Sequence, residues 1–138
     1  MNYNLQRFID AQNGIYEKVK KELEQGCKTS HWMWFIFPQI QGLGYSETAK
    51  YYSIRSLDEA KEYLNHSILG SRLTECSQII LDLENKTAKE IFGTVDAMKL
   101  RSSMTLFSLV SDNQVFDEVI SMYFNGKKDD ATLRIVGI

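Results

Sequence analysis

Two stretches of the chain gather side chains with chemistry to offer. The first is Ser30-His31-Trp32-Met33-Trp34-Phe35-Ile36-Phe37-Pro38-Gln39, which runs into Gly42-Leu43-Gly44. It holds both tryptophans, one of two histidines and the only proline. Six consecutive large apolar residues demand burial, and they carry polar groups of defined geometry with them. His31 has the chemistry of a general acid or base, because imidazole titrates near neutrality, or of a satisfied structural histidine. No carboxylate adjoins it in sequence, and Asp10, Asp58 and Asp96 are the spatial candidates to orient it. Trp32 and Trp34 point to different sides of a helix, so one can stack on a planar ligand while the other packs inside. Gln39 can offer a donor and an acceptor to a ligand edge, or satisfy backbone at the Pro38 turn.

The second stretch, Lys99-Leu100-Arg101-Ser102-Ser103-Met104-Thr105, sets two cations and three hydroxyls in the most apolar surroundings of the chain. A buried guanidinium requires an anionic partner. Arg101, Thr105 and Ser108 share one helical stripe, which can meet a carboxylate from another helix or a bound phosphate or carboxylate. Ser102 and Ser103 lack a nucleophile-elbow context and an assigned base, and buried helical hydroxyls commonly bond the carbonyl four residues back. Arg7, Gln12 and Arg72 carry the same double reading. The two histidines and two cysteines show no metal-ligand spacing, and the sequence leaves any cofactor open.

The elements that must position these groups read as helices. Leu5, Phe8, Ile9, Gln12, Ile15, Tyr16, Val19 and Leu23 form one stripe at steps of three and four, which predicts a first and longest helix closed by Gly26. Lys18, Lys20 and Lys21, interleaved with Glu17, Glu22 and Glu24, read as its solvated face. Ser56-Leu57-Asp58-Glu59 and Thr87-Ala88-Lys89-Glu90 match the capping box and each start a helix, the second ended by Gly93. A longer stripe from Ile68 to Leu83 follows the His66-Ser67 break. The helix from about Asp96 to Val110 is apolar on several faces, as a central, enclosed helix should be. Val115 to Phe124 forms another, closed by Gly126, and Asp129 or Asp130 caps a last turn. Trp32 to Phe37 suits a helix capped by Ser30 and stopped by Pro38, with a buried strand as the alternative. The expectation is an all-α single domain over 1–138, with about six to eight short helices around a central one near 96–110.

The 138 residues are 43% hydrophobic and 25% charged, an ordinary globular composition. Sixteen basic against eighteen acidic residues leave a net charge of −2 and no general pull toward nucleic acid or anionic lipid. The longest apolar run is too short to span a bilayer, and the N-terminus lacks a signal pattern, so no membrane association and a cytoplasmic location are expected. Cys27 and Cys76 read as free thiols.

The runs Leu5-Gln6-Arg7-Phe8 with Ala11-Gln12, Ser30 to Gly44, Asp58-Glu59-Ala60 with Tyr63-Leu64 and His66, Leu69-Gly70 with Arg72-Leu73 and Glu75-Cys76, and Ile91-Phe92-Gly93 through Met98 to Phe107 resemble domain-of-unknown-function family 1810 over nearly the whole chain. The resemblance implies an all-helical, single-domain bacterial cytoplasmic protein without a settled activity. Some members are labelled calpastatin, but such inhibitors are long disordered chains, and this aromatic-rich composition speaks against that label. Ser67 follows His66 where the family commonly has proline.

Two functions fit these residues. In one, the Trp32 block and the Arg101 stripe meet across a cleft that holds a small anionic or nucleotide-like molecule, with His31 available for proton transfer. In the other, the protein is a helical interaction or structural module with Arg101 salt-bridged internally. Whether His31, Gln39 and Arg101 converge on solvent separates them; oligomeric state is open in both.

Overall fold

The structure, a computed structural model, describes residues 3–138. Among these the chain forms nine helices and no strand: α1 (Gln6–Gln12), α2 (Tyr16–Glu24), α3 (Met33–Ile36), α4 (Glu47–Tyr51), α5 (Leu57–Asn65), α6 (Leu69–Leu81), α7 (Ala88–Ser108), α8 (Val115–Phe124) and α9 (Asp130–Val136). The all-α class stands, with one isolated parallel bridge between Ile40 and Ile54.

The expected central helix is the latter part of α7, where Leu100, Met104, Leu106 and Phe107 are wholly buried. α7 packs on α5, α8 and α9, while α6 bridges α2, α5 and α8. Rings run through the core from Phe8 to Tyr63, Phe107 and Phe116 with centroid separations of 5.1, 5.4 and 6.1 Å. Such offset and edge-on pairs favour specific packing as well as burial.

Local signals set most helix ends. Thr87 and Glu90 form the complete capping box of α7, while Ser56 caps α5 through the Glu59 amide at 3.1 Å. The Glu59 carboxylate turns away from the box to the Arg55 amide instead. Asp129 caps α9. His66 Nδ1 accepts from the amides of Ile68 and Leu69, so an imidazole starts α6. At the end of α2, Gly26 has φ +71° and the Cys27 and Gly26 amides return to the Glu22 and Leu23 carbonyls. This paired closure turns the chain back over the last turn of α2.

Four expectations change. The first stripe is broken at Asn13–Ile15, with Gly14 at φ +85°, so that α1 packs on α3 and α2 on α6. The longest helix is therefore the part of α7 that follows Gly93, whose φ 80° and ψ 168° end the short Thr87 helix where expected. α3 spans four residues and Trp32 occupies its N-cap position without a side-chain cap, because the Ser30 hydroxyl is bound to Glu22. α4, capped by Ser46, had no apolar stripe to announce it and buries none of its residues.

Candidate functional site

Glu22, expected on a solvated face, is 4% exposed. Its Oε1 accepts from the Thr29 amide at 2.7 Å, the Ser30 amide at 3.1 Å and Trp32 Nε1 at 2.9 Å, and Oε2 from the Ser30 hydroxyl at 2.6 Å. Burial alone would raise the carboxyl, but the bonds from the Ser30 hydroxyl, the Thr29 amide and the Trp32 indole outweigh it and hold the pKa down at about 2. Trp32 is thereby fixed in the core, between Phe37 and Phe92. Of the two tryptophans, Trp34 is the one that reaches the surface.

The two chemistry-bearing segments touch where Lys99 meets Trp34, beside an acidic residue that gathers two lysines. Asp96 binds Lys28 Nζ at 2.9 Å and Lys99 Nζ at 3.5 Å. Each ammonium also sits on an indole, Lys28 at 5.1 Å from the Trp32 centroid and Lys99 at 4.8 Å from that of Trp34. Asp96, a spatial candidate to orient His31, holds lysines instead. Among the described residues His31 is exposed and makes no side-chain hydrogen bond, and Gln39 is half-buried, its backbone carbonyl accepting from the Ile54 amide at 2.8 Å.

Arg101 faces elsewhere. Its Nε donates to the Lys127 carbonyl at 2.8 Å and its Nη2 to that of Lys128 at 3.1 Å. The expected anionic partner, whether carboxylate or ligand, is replaced by backbone carbonyls of the loop between α8 and α9. Thr105 adds to this latch, donating to the Arg101 carbonyl and accepting from the Asp129 amide at 2.9 Å. Ser102 donates to the Met98 carbonyl at 3.1 Å, whereas the buried Ser103 hydroxyl finds no partner among the described residues. Of the polar side chains in the Lys99–Thr105 stripe, Lys99 meets the Ser30–Gly44 block over the Trp34 ring, while Arg101, Ser102 and Thr105 bond to backbone of α7 and of the loop before α9.

The other polar groups singled out are held internally too. Arg7 pairs with Glu59 at 3.3 Å and donates to the carbonyls of Asn4, Tyr51 and Ser53. Gln12 donates to the Phe35 carbonyl at 2.7 Å and the Tyr63 hydroxyl at 3.2 Å, and accepts from Arg72. The Tyr16 hydroxyl donates to Glu75 and accepts from the buried Cys76 thiol. Burial, then the neighbouring Cys76 and the bond to Glu75, push the phenol well above its ordinary value. Burial likewise pushes the Cys76 thiol up to about 12.

What remains open beside Trp34 is an aromatic hollow of about 540 Å³, lined by Trp34, Phe35, Glu47, Thr48, Tyr51 and Tyr52. Phe35 and Tyr52 stand 5.2 Å apart between centroids, and Tyr51 meets Tyr52 edge-on at 4.8 Å. Arg7 holds the backbone of the tyrosine wall through the Tyr51 and Ser53 carbonyls. Larger, more polar hollows lie between α6 and α8 and at the α5–α6 corner, away from both segments. Glu47, Tyr51 and Tyr52 were missed in the sequence; the Ser46-Glu47 start of α4 was the available signal. Among the described residues no three His, Cys, Asp or Glu side chains gather where they could hold a metal, and no helix is long and apolar enough to cross a membrane.

No functionally curated protein matches the chain. Its fold is similar to the crystal structure of the conserved hypothetical protein Rv1873 from Mycobacterium tuberculosis, with 44% sequence identity, a TM-score of 0.97, and coverage of 99% of this chain and 98% of that one. The profile of a family described as "Protein of unknown function (DUF1810)" matches residues 2–136. With that match over almost its whole length, the chain belongs to the DUF1810 family.

Proposed function

We propose that the protein is a binding module that receives a small organic molecule in the hollow of Trp34, Phe35, Tyr51 and Tyr52. One observation carries this reading: Lys99 Nζ lies 4.8 Å from the centroid of Trp34, and Trp34 walls the hollow. The meeting point of the Ser30–Gly44 block and the Lys99–Thr105 stripe is therefore also the edge of a concave aromatic surface. Its volume falls in the range of about 300–1,000 Å³ usual for small-molecule sites, and aromatic walls with a few polar groups are their usual lining. The anionic or nucleotide-like ligand suggested by Lys99 and Arg101 has less support, since carbonyls take up Arg101 and Asp96 takes up Lys99. His31, exposed and without a side-chain partner among the described residues, lends no support to proton transfer.

A screen of metabolites and simple organic ions by thermal unfolding tests the reading. A ligand of the hollow raises the melting temperature of the wild type and leaves Trp34→Leu unshifted while that variant stays folded. A shift that survives Trp34→Leu, or no shift across a broad panel, refutes it. The structural-module reading is the second, favoured by the Arg101 latch onto Lys127 and Lys128.

A further inference from the structure

We infer that the ligand of this hollow is a free, small organic cation of the methylated-ammonium class. The inference rests on the hollow being a binding site and goes further by fixing the sign and shape of what enters it. Among the six lining residues Glu47 is the one charged side chain, and four are aromatic. Aromatic faces carry negative potential and attract ammonium groups within about 6 Å, most strongly when the cation is desolvated. The wall already does this chemistry: the Trp34 ring receives the Lys99 ammonium. An anion would meet ring faces and the Glu47 carboxylate, with Lys99 already drawn to Asp96 at 3.5 Å. Methyl groups on nitrogen suit the apolar part of the lining, because they spread the charge and weaken hydration while Glu47 supplies the counter-charge.

The test uses the full chain and the two indole N–H signals in a nitrogen-15 correlation spectrum, that of Trp34 being the one missing from Trp34→Phe. The Trp32 signal, bonded to Glu22, reports an intact fold. Tetramethylammonium and choline should move the Trp34 signal saturably. The neutral isostere 3,3-dimethylbutan-1-ol should bind about ten-fold more weakly. Glu47→Gln should weaken both cations about five-fold and Lys99→Met, which removes a competing ammonium from the ring, should tighten them. Equal binding of the neutral isostere, or preference for benzoate, overturns the cation and leaves the hollow as a site. A response to phosphatidylcholine vesicles without one to the free cations overturns it in favour of a lipid headgroup. Silence of the Trp34 signal toward these probes overturns the inference, and the hollow falls with it only when the broad thermal-unfolding panel is silent as well.

Discussion

Replacing Glu22 by glutamine removes one negative charge from a carboxylate that is 4% exposed and accepts four hydrogen bonds. The amide can keep its oxygen toward the Thr29, Ser30 and Trp32 donors and turn its NH₂ to the Ser30 hydroxyl, so the packing survives and the charge assistance goes. The carboxyl moves from an ordinary 4.5 to about 2 on folding. At about 1.4 kcal/mol per tenfold change in ionisation, the ionised group contributes about 3 kcal/mol to stability. Because the folded value is the lower one, this contribution is complete above about pH 5, falls to about 1 kcal/mol at pH 3 and vanishes below about pH 2. Urea unfolding of wild type and Glu22→Gln between pH 3 and pH 7 measures it. The wild type should lead by about 2–3 kcal/mol near neutrality, or roughly 6–12 °C in Tm. That lead should shrink by about 2 kcal/mol on going to pH 3. Other carboxylates titrate alike in both proteins and cancel in the difference. Parallel stability curves over that range would refute the account of the Glu22 site.

Three further outcomes follow from buried or latched groups. Arg7→Met strands the Glu59 carboxylate, itself 1% exposed, and three backbone carbonyls, and should cost about 3–5 kcal/mol by urea unfolding; a loss under about 1 kcal/mol contradicts the pairing. Arg101→Ala removes two charge-assisted bonds from a half-buried site and should cost about 1–3 kcal/mol, with faster amide exchange concentrated at residues 125–130; unchanged exchange there contradicts the latch. Ellman's reagent at neutral pH should modify the exposed Cys27 quickly and leave Cys76 unreacted until the chain unfolds, because burial holds that thiol up at about 12; two equally fast thiols contradict it.

Helix existence was legible wherever the signal was local. The Thr87-Glu90 box, Gly26, Asp129 and the apolar coat around Leu100 to Phe107 each act within a few residues, and each appears where the pattern puts it. The failures are also local in kind. An unbroken stripe from Leu5 to Leu23 conceals a turn at Gly14, because a period of three and four tolerates one displaced residue. α4 has no buried residue and hence no stripe to see. Its consequence is larger than its length, since Glu47 and Tyr51 reach the hollow from it and Tyr52 directly follows.

Site partners depend on what the fold brings across space, and here the legible signals determine the illegible ones. Position 22 lies among lysines and glutamates, so its neighbours in sequence assign it to solvent. Gly26, readable as a helix end, reverses the chain so that the Thr29 and Ser30 amides and the Trp32 indole come back over the last turn of α2, where only an acceptor can meet them. Glu22 is that acceptor, and its charge follows from the turn. The same logic separates the indoles: Trp32 is drawn inward by Glu22, and two positions on, Trp34 emerges toward Lys99 and the tyrosine wall. Arg101 obeys it from the other side. A cation in apolar surroundings requires oxygen, and the loop between α8 and α9 supplies two carbonyls, so the residue that most resembled a ligand anchor became a strut.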